Sequence, residues 1–473
     1  MKVLFLNPPS YMGFDGGAGA RYQARREVRS FWYPAWLAYA AGLVKDSLLV
    51  DAPPEEMDLE RVVHAGKSFD MLVIHTSTPT IKNDCTVAEK FKESCPGILI
   101  GFVGPHDITL PLETLQSSKA IDFVCTGEFD YTIAEIAQGK AFQETNGVAY
   151  LREGKLIRTP DRPLIADLDA LPFVTDVYAR DLKIENYYIG YLDHPYLAIY
   201  AGRGCAARCT FCLWPQTIGG RTYRTRSAGN VYEELAHAKK ILPQVKEFFF
   251  DDDTFTGNLP RAEEIARKIA PLGVKWSANA RANVPYKTLK VMKDSGLRVL
   301  VVGFESGNQH ILNNIKKGIV VEEAKKFVKA AKELGILIHG TFILGLPGET
   351  RETIEETIRF AKEIDPYSLQ VSLAAPYPGT ELYRQALKEG WIPGEQDGLV
   401  EDGIQTAALS YSHLPKEEIF EAVERFYRRF YLRPRPVLRI LKDMLSDRQV
   451  FSRRIREGRE FFSFMAKRKE VTE

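Results

Sequence analysis

The chain has 473 residues, 45% apolar and 26% charged, with a net charge of +1. That length allows two or three domains with large cores, and the composition is that of a globular protein. The even charge balance excludes a molecule steered as a whole by one strong field. Six cysteines in so long a chain exclude a disulfide framework, and no run of about 18 apolar residues exists to span a membrane.

Residues 2–6 read as a buried strand, ended by Asn7, Pro8 and Pro9. The opening turns polar too quickly for a signal peptide, and the expected location is a reducing cytoplasm. A glycine-rich stretch, 13–22, reads as a loop that either lines a site or simply connects. Apolar strands recur at 47–50, 70–75, 98–103 and 121–125, with helix-length stretches between them. This alternation predicts a parallel, doubly wound sheet. Its ligand crevice would be formed by loops just past strand ends, at Gly104, Pro105 and His106 and at Thr126, Gly127 and Glu128. For His106, a histidine bonded to loop backbone is the alternative. Residues 146–159 predict a hairpin turning at Glu153 and Gly154, and 160–172 a linker. Cys85, Cys95 and Cys125 are scattered and read as core residues.

Six further strand–helix units follow, with strands near 197–201, 247–251, 274–279, 299–304, 336–344 and 368–374. Between the first strand and its helix stand Cys205, Cys209 and Cys212, three cysteines within eight residues. Thiolates this close can converge on a soft metal centre. Three ligands suit a cubane cluster with one iron left open, which points to catalysis. A structural zinc site needs a fourth ligand, and His194 and His237 have the wrong spacing; inert thiols are the other alternative.

The spacing, with aromatic Phe211 before the last cysteine, resembles the radical S-adenosylmethionine (SAM) superfamily. The resemblance implies a [4Fe-4S] cluster on Cys205, Cys209 and Cys212, with SAM chelated on the fourth iron and cleaved to a 5'-deoxyadenosyl radical. It implies that Asp252 or its neighbour Asp253 contacts the SAM ammonium, a magnesium site or helix cap being the alternative. Arg281 could pair with the SAM carboxylate, a substrate oxyanion or a structural partner. Glu305 matches the ribose-binding position, and Gly345 the backbone edge for adenine. Pro376 to Thr380 is typical of the cobalamin-type group. The expected fold class is therefore α/β: a Rossmann-like, cobalamin-binding-type domain over 1–145, a hairpin and linker over 146–196, a partial (β/α)6 barrel over 197–395 and a helical region over 396–473. Cobalamin itself is left open. The family's Asp-x-His-x-x-Gly signature is replaced by Asp51, Ala52, Pro53, Pro54, Glu55 and Glu56, which lacks the histidine and the glycine. His106 and Glu128 do follow the family's pattern.

From Arg425 to Lys469, 15 Lys and Arg stand against four Asp and Glu, interleaved with aromatic and aliphatic residues. This predicts contact with an anionic membrane surface rather than nucleic acid, or else a solvated cap on the barrel. The stretch 13–34 is similar to the radical SAM proteins of hopanoid biosynthesis. That similarity implies a lipid substrate, with the glucosamine head group of bacteriohopanetetrol contracted to an aminocyclopentane cyclitol ether. It also implies an electron donor such as flavodoxin or ferredoxin. A cobalamin-dependent methyltransferase and a non-catalytic membrane-bound scaffold are the competing readings.

Overall fold

The computed structural model describes residues 1–9, 25–392, 399–401, 403–445 and 448–470. The glycine-rich stretch 13–22 lies outside the described residues. Five parallel strands open the chain: β1 (Val3–Asn7), β2 (Ser47–Asp51), β3 (Met71–His75), β4 (Leu99–Val103) and β5 (Phe123–Cys125), in the order β2-β1-β3-β4-β5. Val3, Phe5, Met71 and Val73 enter one core, whereas Leu4, Leu6, Leu72 and Ile74 enter another on the opposite face. Burial on both faces is why these strands read as continuous apolar runs. The strand order reverses between β1 and β3, which places a ligand crevice at their carboxyl ends.

The hairpin of β6 (Val148–Arg152) and β7 (Lys155–Arg158) pairs antiparallel with β5, Val124 opposite Ala149. It is the edge of the first sheet rather than part of a linker, which corrects the boundary expected at residue 145. Periodicity fixed the hairpin but carried no information about its partner strand.

The second sheet is entirely parallel: β8 (Tyr196–Ile199), then, past the short antiparallel pair β9 (Gly202–Arg203) and β10 (Arg224–Thr225), β11 (Glu247–Phe250), β12 (Trp276–Ala280), β13 (Leu297–Glu305), β14 (Leu337–Leu344) and β15 (Ser368–Leu373). These six strands lie in sequence order from β8 to β15, each within a few residues of its predicted span. Amphipathic helices follow them, started by side-chain caps at Ser227, Asn258 and Thr350.

A barrel that does not close leaves β15 as an edge with exposed N–H groups. The C-terminal region covers it with side chains. The hydroxyls of Tyr431 and Tyr427 accept from the N–H groups of Leu369 and Val371, and the Gln405 amide both accepts from Leu373 N–H and donates to its carbonyl. Helix Lys416–Tyr431 is thus a cap on the barrel, with Phe426, Tyr427 and Phe430 buried.

The two sheets are tied by buried charge. Arg203 makes paired 2.9 Å bonds to the Asp130 carboxylate, and Arg224 makes paired 2.8 Å bonds to Glu128. The Arg203 guanidinium also lies 4.4 Å over Trp36, which stacks on Trp214 at 6.1 Å.

Candidate active site

The cysteine loop leaves β9 through Gly204, whose φ is +87°; a Cβ there would sit 2.3 Å from the Thr222 carbonyl oxygen, so only glycine fits. Residues 204–209 have no regular structure, so the loop's backbone groups need outside partners. The Gln216 side chain supplies several. Its Nε2 donates to the carbonyls of Cys212 (2.8 Å), Thr210 (3.1 Å) and Cys209 (3.4 Å), while its Oε1 accepts from Glu381 N–H. Thr210 N–H donates to the Ile315 carbonyl, and Arg221 holds that of Ala207. Gln216 escaped sequence reasoning because a lone amide four residues past a cysteine carries no motif.

Cys205, Cys209 and Cys212 line a cavity of about 310 Å³ at the carboxyl ends of the barrel strands. None is in a disulfide, and burial pushes the Cys205 thiol up, a cost that metal ligation removes. Among the described residues no three His, Cys, Asp or Glu side chains are drawn close enough to hold a single metal ion. A cubane makes no such demand, because each thiolate binds a different iron. Three cavity-lining thiols on a clamped loop fit a [4Fe-4S] cluster with one open iron.

The aspartate row after β11 divides. Asp251 and Asp253 line the cavity. Asp252 is fully buried; its oxygens accept from Ala201 N–H and Tyr223 O–H, both at 2.7 Å. Asp252 therefore holds the loop together, and of the two expected ammonium contacts Asp253 is the one at the cavity; it also accepts from Gly204 N–H at 3.1 Å.

Arg281 lines the cavity and donates to the carbonyls of Lys317 and Gly318. It forms no ion pair with a carboxylate among the described residues, so the structural pairing considered for it is not what the fold provides. Glu305 ends β13 with φ +62°, strained for a residue with a side chain, and its carboxylate meets Lys317 Nζ at 2.6 Å. Burial works against the Lys317 charge, yet Glu305 prevails and the ammonium pKa rises. A Cβ on Gly303 would fall 2.3 Å from Glu305 Oε1 and 2.9 Å from Lys317 Nζ, so the pair rests on bare backbone. Lys317 was missed because a lysine beside a glycine usually reads as solvated surface.

Gly345 does not line the cavity. Its N–H donates to Glu349 Oε2 at 2.5 Å and its carbonyl accepts from Tyr411 O–H at 2.9 Å, so the expected adenine edge is already used. The cavity wall on β14 is formed by His339, Thr341, Phe342 and Ile343 instead. Phe211 lines the cavity as expected, and Arg26 and Trp32, just past the undescribed stretch, contribute to it too.

At the carboxyl ends of β3, β4 and β5 a second group of polar residues is buried. Both ring nitrogens of His75, Nε2 of His106, both carboxylate oxygens of Asp107 and the hydroxyls of Thr76 and Thr126 have no hydrogen-bond partner among the described residues. Burial pushes both imidazoles down to about 4, so both are neutral near pH 7, and pushes the Asp107 carboxyl well up. His106 Nδ1 lies 3.2 Å from the Thr78 hydroxyl. Unsatisfied donors and acceptors at the carboxyl ends of β3, β4 and β5, beside the switch point, fit a polar ligand such as the corrin side chains of cobalamin. Glu128, expected at this crevice, is instead consumed by Arg203 and Arg224.

The model of the radical SAM superfamily matches residues 199–361. An uncharacterised methyltransferase of Pyrococcus horikoshii is 31% identical, over 93% of this chain and 94% of that protein. Anaerobic magnesium-protoporphyrin IX monomethyl ester cyclase of Rubrivivax gelatinosus is 27% identical over 91% of this chain and 78% of that one. Among solved structures, the radical SAM methyltransferase TsrM from Kitasatospora setae, with cobalamin and a [4Fe-4S] cluster bound, aligns with a TM-score of 0.68 at 14% identity, covering 99% of both chains. The cobalamin-dependent radical SAM enzyme OxsB, with aqua-cobalamin and SAM bound, aligns at 0.66 and 15% identity, over 92% of this chain and 69% of that one.

Proposed function

Because the chain belongs to the radical SAM superfamily, whose model matches residues 199–361, and is 31% identical over 93% of its length to an uncharacterised methyltransferase, we propose that it is a cobalamin-dependent methyltransferase acting on a carbon of a lipid or other small molecule. Its cofactors are a [4Fe-4S] cluster and SAM; cobalamin belongs to the proposal. The observation that carries it is the row of buried, unpartnered polar atoms on His75, His106 and Asp107, at the strand ends of a second domain, which cluster chemistry alone does not need.

When bound, the cluster supplies the electron that cleaves the SAM sulfonium, and a small carrier such as flavodoxin or ferredoxin supplies it in turn. The protein's part is binding and exclusion of water. Cys205, Cys209 and Cys212 would hold three irons, with Gln216 fixing the loop. Asp253 would accept from the SAM ammonium, and Arg281 would donate to its carboxylate. Glu305 would accept ribose hydroxyls, with Lys317 keeping the carboxylate oriented. Phe211, Trp214 and Trp32 wall the cavity against water.

A second reading is the ring contraction of glucosaminyl-bacteriohopanetetrol to its cyclitol ether. It is supported by the resemblance over 13–34, because Arg26 and Trp32 from that stretch enter the cavity wall. Anaerobic reconstitution followed by mass spectrometry with SAM and a reductant separates the two. Bound corrinoid and S-adenosylhomocysteine support methyl transfer. No corrinoid, and 5'-deoxyadenosine formed only with glucosaminyl-bacteriohopanetetrol, supports ring contraction. An absence of SAM cleavage under all conditions sinks both.

A further inference from the structure

The last two helices leave apolar faces uncovered. In helix Pro434–Met444 the only buried residue is Pro436. Val437, Leu438, Leu441 and the following Leu445 fall within an arc of about 100° of the helix, and Leu438 and Leu445 are 64% and 87% exposed. Arg435 and Lys442 lie beside that arc, are exposed and have no partner among the described residues. The opposite side is fixed to the body, where Asp443 accepts from Tyr367 and Arg454, and Arg439 donates to the Pro366 carbonyl.

Helix Arg448–Glu470 repeats the pattern. Phe451, Ile455 and Phe462 share one narrow face and are all exposed, Phe462 by 66%. Arg459 flanks that face, again without a partner among the described residues. The other side is anchored by Glu457 to Tyr188, by Arg468 to the Phe420 carbonyl and by buried Phe464. No helix among the described residues is long and apolar enough to cross a membrane.

We propose that these two faces dock the enzyme peripherally on an anionic lipid surface. Aliphatic and aromatic side chains bordered by cations match the boundary between acyl chains and acidic head groups. A second copy of the chain is a poorer occupant, because a two-fold interface would set the same arginines and lysines against each other. Nucleic acid would use the cations but has no use for a row of leucines. The proposal does not depend on the reaction above, since vesicles without hopanoid are the probe.

The test is co-sedimentation of the full-length, cluster-loaded enzyme with phosphatidylglycerol–phosphatidylcholine vesicles. We expect partitioning that weakens with salt and is absent on pure phosphatidylcholine. Arg435→Gln with Lys442→Gln should weaken it roughly 25-fold, at about fivefold per charge. Leu438→Asn with Leu441→Asn should weaken it on the order of tenfold. Leu387→Asn, at an equally exposed leucine of helix Glu381–Lys388, should change nothing. Cluster absorbance and circular dichroism should stay unchanged in all three, which keeps folding out of the result. Failure to bind the acidic vesicles overturns the proposal. So does a wild-type dimer that the leucine variant makes monomeric, or tight RNA binding indifferent to the leucines.

Discussion

Two groups of polar residues in this molecule gather at the carboxyl ends of parallel strands, one lining a cavity and one buried, and they treat charge in opposite ways. At the barrel mouth stand the Arg281 guanidinium and the Glu305–Lys317 ion pair, beside three thiols. At the end of the N-terminal sheet stand His75 and His106, both kept neutral by burial, and Asp107, whose carboxyl burial pushes well up. The same topology therefore makes two kinds of site. In the proposed function the first holds a zwitterion and a cluster through fixed charges. The second takes a large ligand with many neutral amides, where an unsatisfied buried donor gains more from a hydrogen bond than from a charge.

The most severe way to break the contrast is Cys209→Ala. It should abolish the cluster's visible absorbance and SAM cleavage, leaving the N-terminal crevice folded; absorption spectra and 5'-deoxyadenosine assays read this. Next comes Glu305→Gln. Leaving Lys317 buried without its counter-ion should cost about 3–5 kcal/mol in denaturant unfolding, with weakened SAM binding. Adding Lys317→Met should recover much of the stability but not the binding, and additive losses of stability would rule out the coupling.

Glu349 sharpens the boundary within the barrel. It lies four residues past Gly345, is fully buried, and burial raises its carboxyl from 4.5 to about 8. The folded state thus keeps a proton that the unfolded chain releases above about pH 4.5. Its contribution is present at low pH and lost as pH rises through about 8. Glu349→Gln should remove that loss, gaining on the order of 2–4 kcal/mol relative to the native chain between pH 6 and pH 9. Equal pH slopes for the two proteins would refute a neutral Glu349.

The smallest effect is expected in the N-terminal crevice, with the opposite sign. The unfolded chain protonates His75 as pH falls through 6.5, the folded chain only near 4. Stability is lost over that window on acidification, and His75→Leu should lessen the loss by about 1–3 kcal/mol. Added cobalamin should raise the thermal midpoint of the native chain more than that of the variant.

What could be read from the residues alone followed physical locality. Parallel strands buried on both faces leave continuous apolar runs, so β1 to β5 and the six barrel strands were legible. The cysteine spacing was legible because one cluster needs three thiolates close in sequence. Asp252 and Asp253 could not be told apart, because which one turns inward depends on where Ala201 and Tyr223 sit. Gly345 looked available because nothing near it in sequence shows that Tyr411 occupies its carbonyl. The C-terminal aromatics were read together, as a basic surface or a cap; Tyr427 and Tyr431 seal a sheet edge and Phe464 is buried, while Leu438, Phe451 and Phe462 are exposed. Partners some 60 residues apart leave no periodic trace in a sequence.

The ion pairs of Arg203 and Arg224 bear on how the enzyme is assembled. Arg203 stands two residues before Cys205, and its counter-charge, Asp130, opens the helix Asp130–Ala137 of the N-terminal domain. The metal-binding loop is thus shaped by a domain made earlier on the ribosome, and that domain must be folded and docked before the thiols take up their final arrangement. A barrel expressed without its first 158 residues would carry two arginines stripped of their carboxylates at the root of the loop, and cluster loading should fail even though every ligand is present. Maturation then has an order, with docking of the first domain preceding delivery of iron and sulfide.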